Sequence, residues 1–450
     1  MSGGWRSIAV HAQDGVEALA SADAGVRAVL EGLFSSDPEV RRCPFSGFAT
    51  VRAQPGLIYH SEIEAFVVAR HADMLEVLRD PILFSSWVPF GRVAARRERD
   101  TIGSLIAEQP GLKALLGELK PRRTPTLVNC DPPEHMRQRR LVQGAFAGKR
   151  IAAAEVGVKA LAESLIDAFE SLDVVDMVPA LSVALPVQVI AMMLGVDDAR
   201  QADFKRWSDD FMNAAGNDGH TRDVMIAAIR GQGELYAFMR EQIADRRRAP
   251  REDLITDLLE ARQDGDEPFS EDEILAMCGQ FLVAGNETTT ALIGSALLAL
   301  AHDPELAEAL RREPVRVGPF LEEVLRRESP IQGVFRTATA DTVLAGQQIK
   351  AGQQVFLMHG SANRDEASFR NEPLEADFKA QPRHVAFGFG EHFCLGAGLA
   401  RMEARVAISA VLQRYSRLEL ADDTPVRYGA TYMMRSLAAL PLRLTPASET

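Results

Sequence analysis

Eleven residues near the C-terminal end constrain this chain more than any other stretch: Phe387-Gly388-Phe389-Gly390-Glu391-His392-Phe393-Cys394-Leu395-Gly396-Ala397. A cysteine sits inside a glycine-rich loop, and the pattern turns helical directly after it. Leu399, Met402, Val406, Ala410 and Val411 recur at helical spacing, while Arg401, Glu403 and Arg405 fall elsewhere. This places Cys394 at a helix N-terminus, where unpaired N–H groups and the positive end of the helix dipole favour thiolate over thiol. Gly388, Gly390 and Gly396 clear side chains from both sides of the sulfur, so that a large flat ligand can approach the backbone. Phe387, Phe393 and Leu395 supply an apolar wall.

Plainer readings compete. A buried structural cysteine is the commonest fate of a lone Cys, but it does not need three glycines. A zinc site lacks a second pair of ligands at usable spacing beside His392 and Cys394. A phosphate loop lacks the preceding strand and a following Lys-Ser/Thr. A thiolate, N–H donors and an apolar wall are what an axial haem sulfur needs. The run Phe-Gly-x-Gly-x-His-x-Cys-x-Gly strongly resembles the haem-binding signature of the cytochrome P-450 family, a highly specific motif.

No Gly/Ser/Pro-rich linker or low-complexity tract divides the 450 residues, so residues 41–450 are expected to form one domain behind an N-terminal extension, 1–40. The net charge of −13 argues against a nucleic-acid partner, which would demand a basic face. Cys43, Cys130, Cys278 and Cys394 lie far apart with no Cys-x-x-Cys, which supports neither a disulfide framework nor a thiol redox motif and fits a reducing cytosol. The N-terminus carries no basic-then-apolar signal pattern, and no run of about eighteen apolar residues occurs. The expectation is a soluble, cytoplasmic, bacterial-type member of the family.

Strand-favouring residues run from Leu57 to Val68, followed by a short helix to Arg79. A long, irregular, mixed-charge region then reaches Asn129, with Arg96, Arg97, Arg99, Arg122 and Arg123 read as solvated surface. Asp131-Pro132-Pro133 opens a helix, with Asp131 as N-cap. His135 and Arg139 follow four residues apart on one face, a pair of donors that suits an anionic partner. The resemblance implies that they grip a haem propionate.

Helical patterns continue from Ala152 to about Ala261. Ser270-Glu271-Asp272-Glu273 is a capping box that starts the longest helix, apolar nearly all round, running to Asp303-Pro304. At its middle lies Ala284-Gly285-Asn286-Glu287-Thr288-Thr289. Glycine costs roughly 1 kcal/mol in a helix, a buried acid costs more, and Thr288 can turn its hydroxyl onto the carbonyl of Ala284. Three local faults in a buried helix mark a site. The run resembles the family's oxygen-activation helix, which implies that Glu287 and Thr288 are its acid-alcohol pair and that Ala284 and Gly285 lie against the haem.

Glu323 and Arg326 have the family's Glu-x-x-Arg spacing; Lys379 or Arg383 is the expected third member of that network. Arg336 and His384 fall where the family binds propionates, and Phe387, Gly388, Cys394 and Gly396 belong to the cofactor loop. A β-rich tract from Arg336 to Val355 and a closing hairpin over 434–443 complete a resemblance that covers roughly residues 45–445.

What the resemblance implies is a mainly α fold with small β-sheets, holding haem b between the long helix and the helix after Cys394. The implied reaction inserts one atom of O₂ into a C–H or C=C bond of an apolar small molecule and reduces the other to water. No flavin or iron–sulfur motif occurs, so electrons from NAD(P)H must arrive through a separate ferredoxin-type partner. Arg137, Arg140, Lys149 and Arg150 are its expected docking face on the Cys side of the haem. Trp87, Gln280, Val283, Ile331, Gln332, Val334 and Tyr432 are expected to line the substrate pocket. A peroxide-dependent relative would usually lack the Glu287-Thr288 pair, and a haem sensor or electron carrier would need no proton relay.

Overall fold

The computed structural model describes residues 24–35, 37–108, 124–196, 200–214, 221–263, 265–369, 383–429 and 431–447. Strands β1 (Ile58–His60), β2 (Ala65–Val68), β3 (Phe84–Ser85), β4 (Val174–Asp176), β5 (Val334–Ala338), β6 (Gln354–Leu357), β7 (Tyr415–Leu420) and β8 (Pro441–Pro446) form two sheets, ordered β1-β2-β6-β5-β3 and β4-β8-β7. The first two strands lie where their β-branched and aromatic residues place them. The β2–β6 pairing is parallel and the other pairings are antiparallel. The closing segment pairs antiparallel across Tyr428 and Leu437, with Gly429 N–H donating to Ser436 O (2.9 Å) and Ala438 N–H to Arg427 O (2.8 Å), and β8 then inserts between β7 and β4.

Helix α1 (Ala24–Phe34) turns Val26, Leu30 and Phe34 inward against Ile58, Ala65, Val67, Phe335 and Phe356. The described part of the expected N-terminal extension is thus packed into the main body. After α2 (His71–Arg79), the region read as irregular contains helix α3 (Arg92–Glu108), in which Leu105 is the buried residue.

Helix α4 (Glu134–Val142) begins where the prolines require, but Asp131 does not cap it. The helix starts late enough that Pro133 stands at its N-cap and Asp131 two residues before it; the Asp131 carboxylate accepts from the Ser86 N–H (2.7 Å) and the Ser85 hydroxyl, tying the helix start to β3. Helices α5 (Gln201–Ala214) and α6 (Arg222–Arg248) pack against one another.

The capping box forms as its spacing demands: the Ser270 hydroxyl accepts from the Glu273 N–H at 3.3 Å, and the Glu273 carboxylate accepts from the Ser270 N–H at 2.7 Å. It opens α7 (Glu271–His302), which crosses the interior. Helices α8 (Val317–Glu328) and α9 (Ala397–Arg414) lie against the C-terminal half of α7. No described helix is long and apolar enough to cross a membrane.

Candidate functional site

Two hydrophobic cores share α7. Its first half (Ile274, Leu275, Met277, Cys278, Phe281, Leu282) packs with Phe204, Trp207, Met225 and Ile229 of α5 and α6. Its second half (Leu292, Ile293, Ala296, Leu297, Leu300) packs with Phe320 and Val324 of α8 and Val406 and Ile408 of α9. Residues 283–285, 287 and 288 belong to neither core: Ala284 is exposed, and Val283, Gly285, Glu287 and Thr288 are half-buried, in a helix buried on both sides of them. The Cys loop is also placed between these cores, with Leu395 against the first and Phe387 against the second. Cys394 is deep in the fold yet open to solvent, as are Phe389 and Phe393, each 40% exposed. An uncovered helical turn and a loop with unburied phenylalanines, both at the division between the same two cores, are what a cleft for an apolar ligand requires.

The loop holds its shape through backbone bonds: the Cys394 N–H donates to Phe387 O (2.9 Å), Gly388 N–H to Val385 O (2.9 Å) and Phe393 N–H to Gly390 O (3.1 Å). Gly388 and Gly390 have φ of 73° and 68°, and a Cβ on Gly390 would sit 2.8 Å from the Leu78 carbonyl oxygen at the end of α2. Gly396 is different, with φ −82° and open space where a Cβ would stand, so its role is clearance. Burial pushes the Cys394 thiol up, against the pull of the Gly396 and Ala397 N–H groups and of Arg139 and Arg401. The donors expected at the helix start are present, but desolvation outweighs them.

A cluster of nitrogen bases gathers beside the loop. His135 is buried, and neither ring nitrogen has a hydrogen-bond partner among the described residues. Its ring centroid lies 4.0 Å from that of His392, whose Nε2 is 3.1 Å from the Ser86 hydroxyl. Burial first, then Arg139 and Arg336, holds His135 down to about 4. Burial, His135, Arg336 and Arg139 hold His392 down to about 3. Arg336 is buried without an ion pair among the described residues; it donates to Phe335 O (2.8 Å), and desolvation lowers it to about 10. Arg139 donates to Phe393 O at 2.6 Å. Such a cluster lacks acceptors, and an anionic group would supply them.

His384 does not join this cluster. Its Nε2 lies 3.2 Å from the Glu322 carboxylate and its Nδ1 accepts from the Ala386 N–H, so both nitrogens are already engaged. Burial would raise Glu322, but hydrogen bonds from Arg401 (2.6 and 2.9 Å) and His384 outweigh it and hold the carboxylate down to about 2. Arg401 also lies over the Phe387 ring at 4.4 Å. Neither Glu322 nor Arg401 was singled out by the sequence; seven residues from Cys394, about two helical turns, is the signal that points to Arg401. His392 belongs to the Cys-loop motif, but its contact with His135 joins residues more than two hundred and fifty positions apart, which no spacing along the chain announces.

Glu323 takes Arg326 as a two-point partner (2.6 and 2.8 Å) and Arg327 as its third member (2.6 Å). Arg383 is exposed, and Lys379 lies outside the described residues. Arg326 also donates to Asn363 O (2.8 Å), and the Asn363 side-chain oxygen accepts from Val385 N–H (2.7 Å), which carries the network to the start of the Cys loop.

On α7, the Thr288 hydroxyl donates to Ala284 O at 2.9 Å, as expected. Burial alone pushes Glu287 up to about 7. Of the expected pocket residues, Val283, Ile331 and Val334 are half-buried and Trp87 is 47% exposed, while the Gln280 side-chain oxygen is buried without a donor among the described residues. Two lie apart from these: Gln332 and Tyr432 line a pocket with Phe34, Phe356 and Met358 that none of the other expected residues lines. The Gln332 amide donates to Glu328 O and Ser329 O, and the half-buried Tyr432 ring meets Phe34 (4.9 Å between centroids) and Phe356 (5.9 Å) at steep angles.

The family model for cytochrome P-450 matches residues 106–436. The chain belongs to the cytochrome P-450 family. It is similar to cytochrome P-450 107B1 of Saccharopolyspora erythraea, 34% identical over 85% of this chain and 89% of that protein. A steroid C26-monooxygenase of Mycobacterium tuberculosis is 34% identical over 75% of this chain and 91% of its own. Among solved structures, CYP109E1 from Bacillus megaterium in complex with corticosterone superposes with a TM-score of 0.77 at 31% identity, covering 90% of this chain and 99% of that one. This cytochrome P-450 is therefore a monooxygenase with haem b as cofactor, using O₂ and electrons derived from NAD(P)H. The residues present fit haem: an unburied Cys where the two cores part, and beside its loop His135, buried with no hydrogen-bond partner among the described residues, and Arg336, buried with no ion pair among them, which a cofactor's carboxylates would satisfy. No group of three or more His, Cys, Asp or Glu that could hold a metal ion occurs among the described residues.

Proposed function

We propose that this chain hydroxylates or epoxidises an apolar small molecule, with Cys394 as the iron ligand and Glu287 and Thr288 as the proton path. The observation that carries this reading is a half-buried acid that desolvation pushes up to about 7, beside a hydroxyl, on an uncovered turn in the middle of a largely buried helix. Bound haem supplies the oxygen-activating chemistry. The protein's own side chains do the rest. Arg139, Arg336, His135 and His392 would hold the cofactor's carboxylates. A carboxyl poised near neutrality holds a proton and releases it at working pH, so Glu287 can accept one from solvent and pass it into the cleft. Thr288 presents a hydroxyl one helical position further on; such a relay argues against a peroxide-dependent enzyme or a gas sensor.

The corticosterone complex and the steroid C26-monooxygenase support a rigid, largely apolar ring system as substrate, with the unpaired Gln280 oxygen available to accept from a substrate hydroxyl. Titrating a panel of steroids is expected to displace the iron-bound water and shift the Soret band to shorter wavelength. A panel without a single shift would remove the steroid reading.

The electron donor is proposed to be a separate ferredoxin docking on the Cys side. The cations expected to attract it are largely neutralised, however: Arg137 pairs with Glu134 (2.6 Å) and Glu273, Arg140 with Asp266 (2.6 Å) and Arg150 with Asp257. Lys149 alone of the four has no ion-pair partner among the described residues. Paired charges steer weakly, so the reduction rate is expected to change by about threefold or less between low and high salt. A steep fall would restore a free basic docking face.

A further inference from the structure

Asn286 lies between the exposed turn and the relay acid, yet it points the other way. Successive helical residues are turned by about 100°, so residues 284 and 288 share one face of α7 while 286 and 290 share the opposite one. Asn286 (4% exposed) donates through its side-chain amide to the hydroxyl of Ser208 (0%) on α5. Thr290 (5%), one turn on, donates to Ser182 O at 2.9 Å and lies 3.4 Å from the Asn286 side-chain oxygen. Around them is an apolar interface that includes Phe204, Trp207 and Phe281.

A buried polar pair in such a place is not the most stabilising choice. Apolar groups of the same shape would do about as well, because a hydrogen bond between neutral groups only recovers what desolvation costs. What the pair adds is geometry, since a hydrogen bond has a direction and a methyl contact has none. A bond on the far face of the helix fixes the rotation at which residues 284 and 288 meet the cleft. Its anchor, Ser208, belongs to α5, the helix packed on α6, so a displacement of α5 would be felt at the turn.

We infer that Asn286 is a positioning residue: its bond to Ser208 sets the rotation of the 284–288 turn and couples the placement of α5 to the proton path. This rests on the relay reading of Glu287 and Thr288. The test uses the holoenzyme with Asn286→Leu, Ser208→Ala and the double variant. Each single change is expected to raise the peroxide released per electron pair roughly threefold with substrate bound, and the double variant no further. Amide hydrogen exchange at residues 284–288 should speed up in the same variants, while Ser208→Thr, which keeps the oxygen, should restore both readouts.

Unchanged peroxide release and unchanged exchange, with only a shifted unfolding temperature, would make the pair structural and overturn the inference. An effect from Asn286→Leu without one from Ser208→Ala would overturn the coupling to α5, and Ser208→Ala carries the test alone if the leucine variant does not fold. Should Thr288→Ala itself leave coupling intact, the relay reading fails instead, and the exchange rates still decide whether Asn286 positions the turn.

Discussion

Cys394→His is expected to abolish oxygen insertion, lowering turnover by roughly a thousandfold or more, while leaving part of the haem bound. The two halves of this expectation have different structural origins. Retention follows from the basic cluster, because His135, Arg139, Arg336 and His392 would meet the cofactor's carboxylates whatever ligand stands at position 394. The clearance around Gly396 leaves room for the larger ring. Loss of activity follows from the ligand, since imidazole pushes far less electron density onto iron than thiolate, and that push favours O–O cleavage. The reduced carbon monoxide complex reads the ligand directly: the strongly red-shifted Soret band of the parent protein should be absent in the variant. A Cys394→His protein that hydroxylates normally would remove Cys394 from the iron.

Thr288→Ala should divert electrons into hydrogen peroxide while leaving substrate binding intact. The hydroxyl donates to Ala284 O at 2.9 Å, so a purely structural role is a real competitor. If satisfying that carbonyl were its function, the alanine variant would lose about 1 kcal/mol of stability and keep its turnover stoichiometry. If the hydroxyl instead serves proton delivery with Glu287, each electron pair drawn from NADH would yield several-fold more peroxide and less product. Peroxide per electron pair, measured with a true substrate bound, separates the cases; unchanged coupling would reject the relay.

The features legible in the sequence are those whose partners lie close along the chain. The capping box, the Thr288 bond one turn back and the i, i+4 pair His135 and Arg139 are all fixed by helical geometry, and the glycines of the Cys loop announce their turns. Helix α3 was not legible because, with Leu105 as its buried residue, it has no apolar stripe for periodicity to detect. The pairing of Arg140 with Asp266 and of Arg150 with Asp257 spans more than a hundred residues, so a basic run that looked free is neutral in the fold. His384 and Gln332 were misplaced for the same reason: their partners, Glu322 and the carbonyls of Glu328 and Ser329, are chosen by packing, and a motif gives only their order. Asp131 is not the cap because the helix begins at Glu134 with Pro133 in the cap position, and the Asp131 carboxylate is taken by Ser85 and Ser86, about forty-five residues earlier in the chain.

The division of α7 between two cores has a consequence for how such a chain can diversify. One core, with α8 and α9, holds Phe387 of the Cys loop; the other, with α5 and α6, holds the first half of α7, the side from which, in the proposed function, a substrate would approach. Substitutions at sites more than about 7–10 Å apart with no shared partners usually add in their effects on stability. Repacking between α5 and α6 that leaves the contact with Leu395 intact can therefore accumulate without altering the environment of Cys394, so specificity can drift while the chemistry stays fixed. The exception is the turn where the two cores part: a change at residues 283–288 faces both lineages of constraint at once, and is the place where altered selectivity and wasted electrons should arrive together.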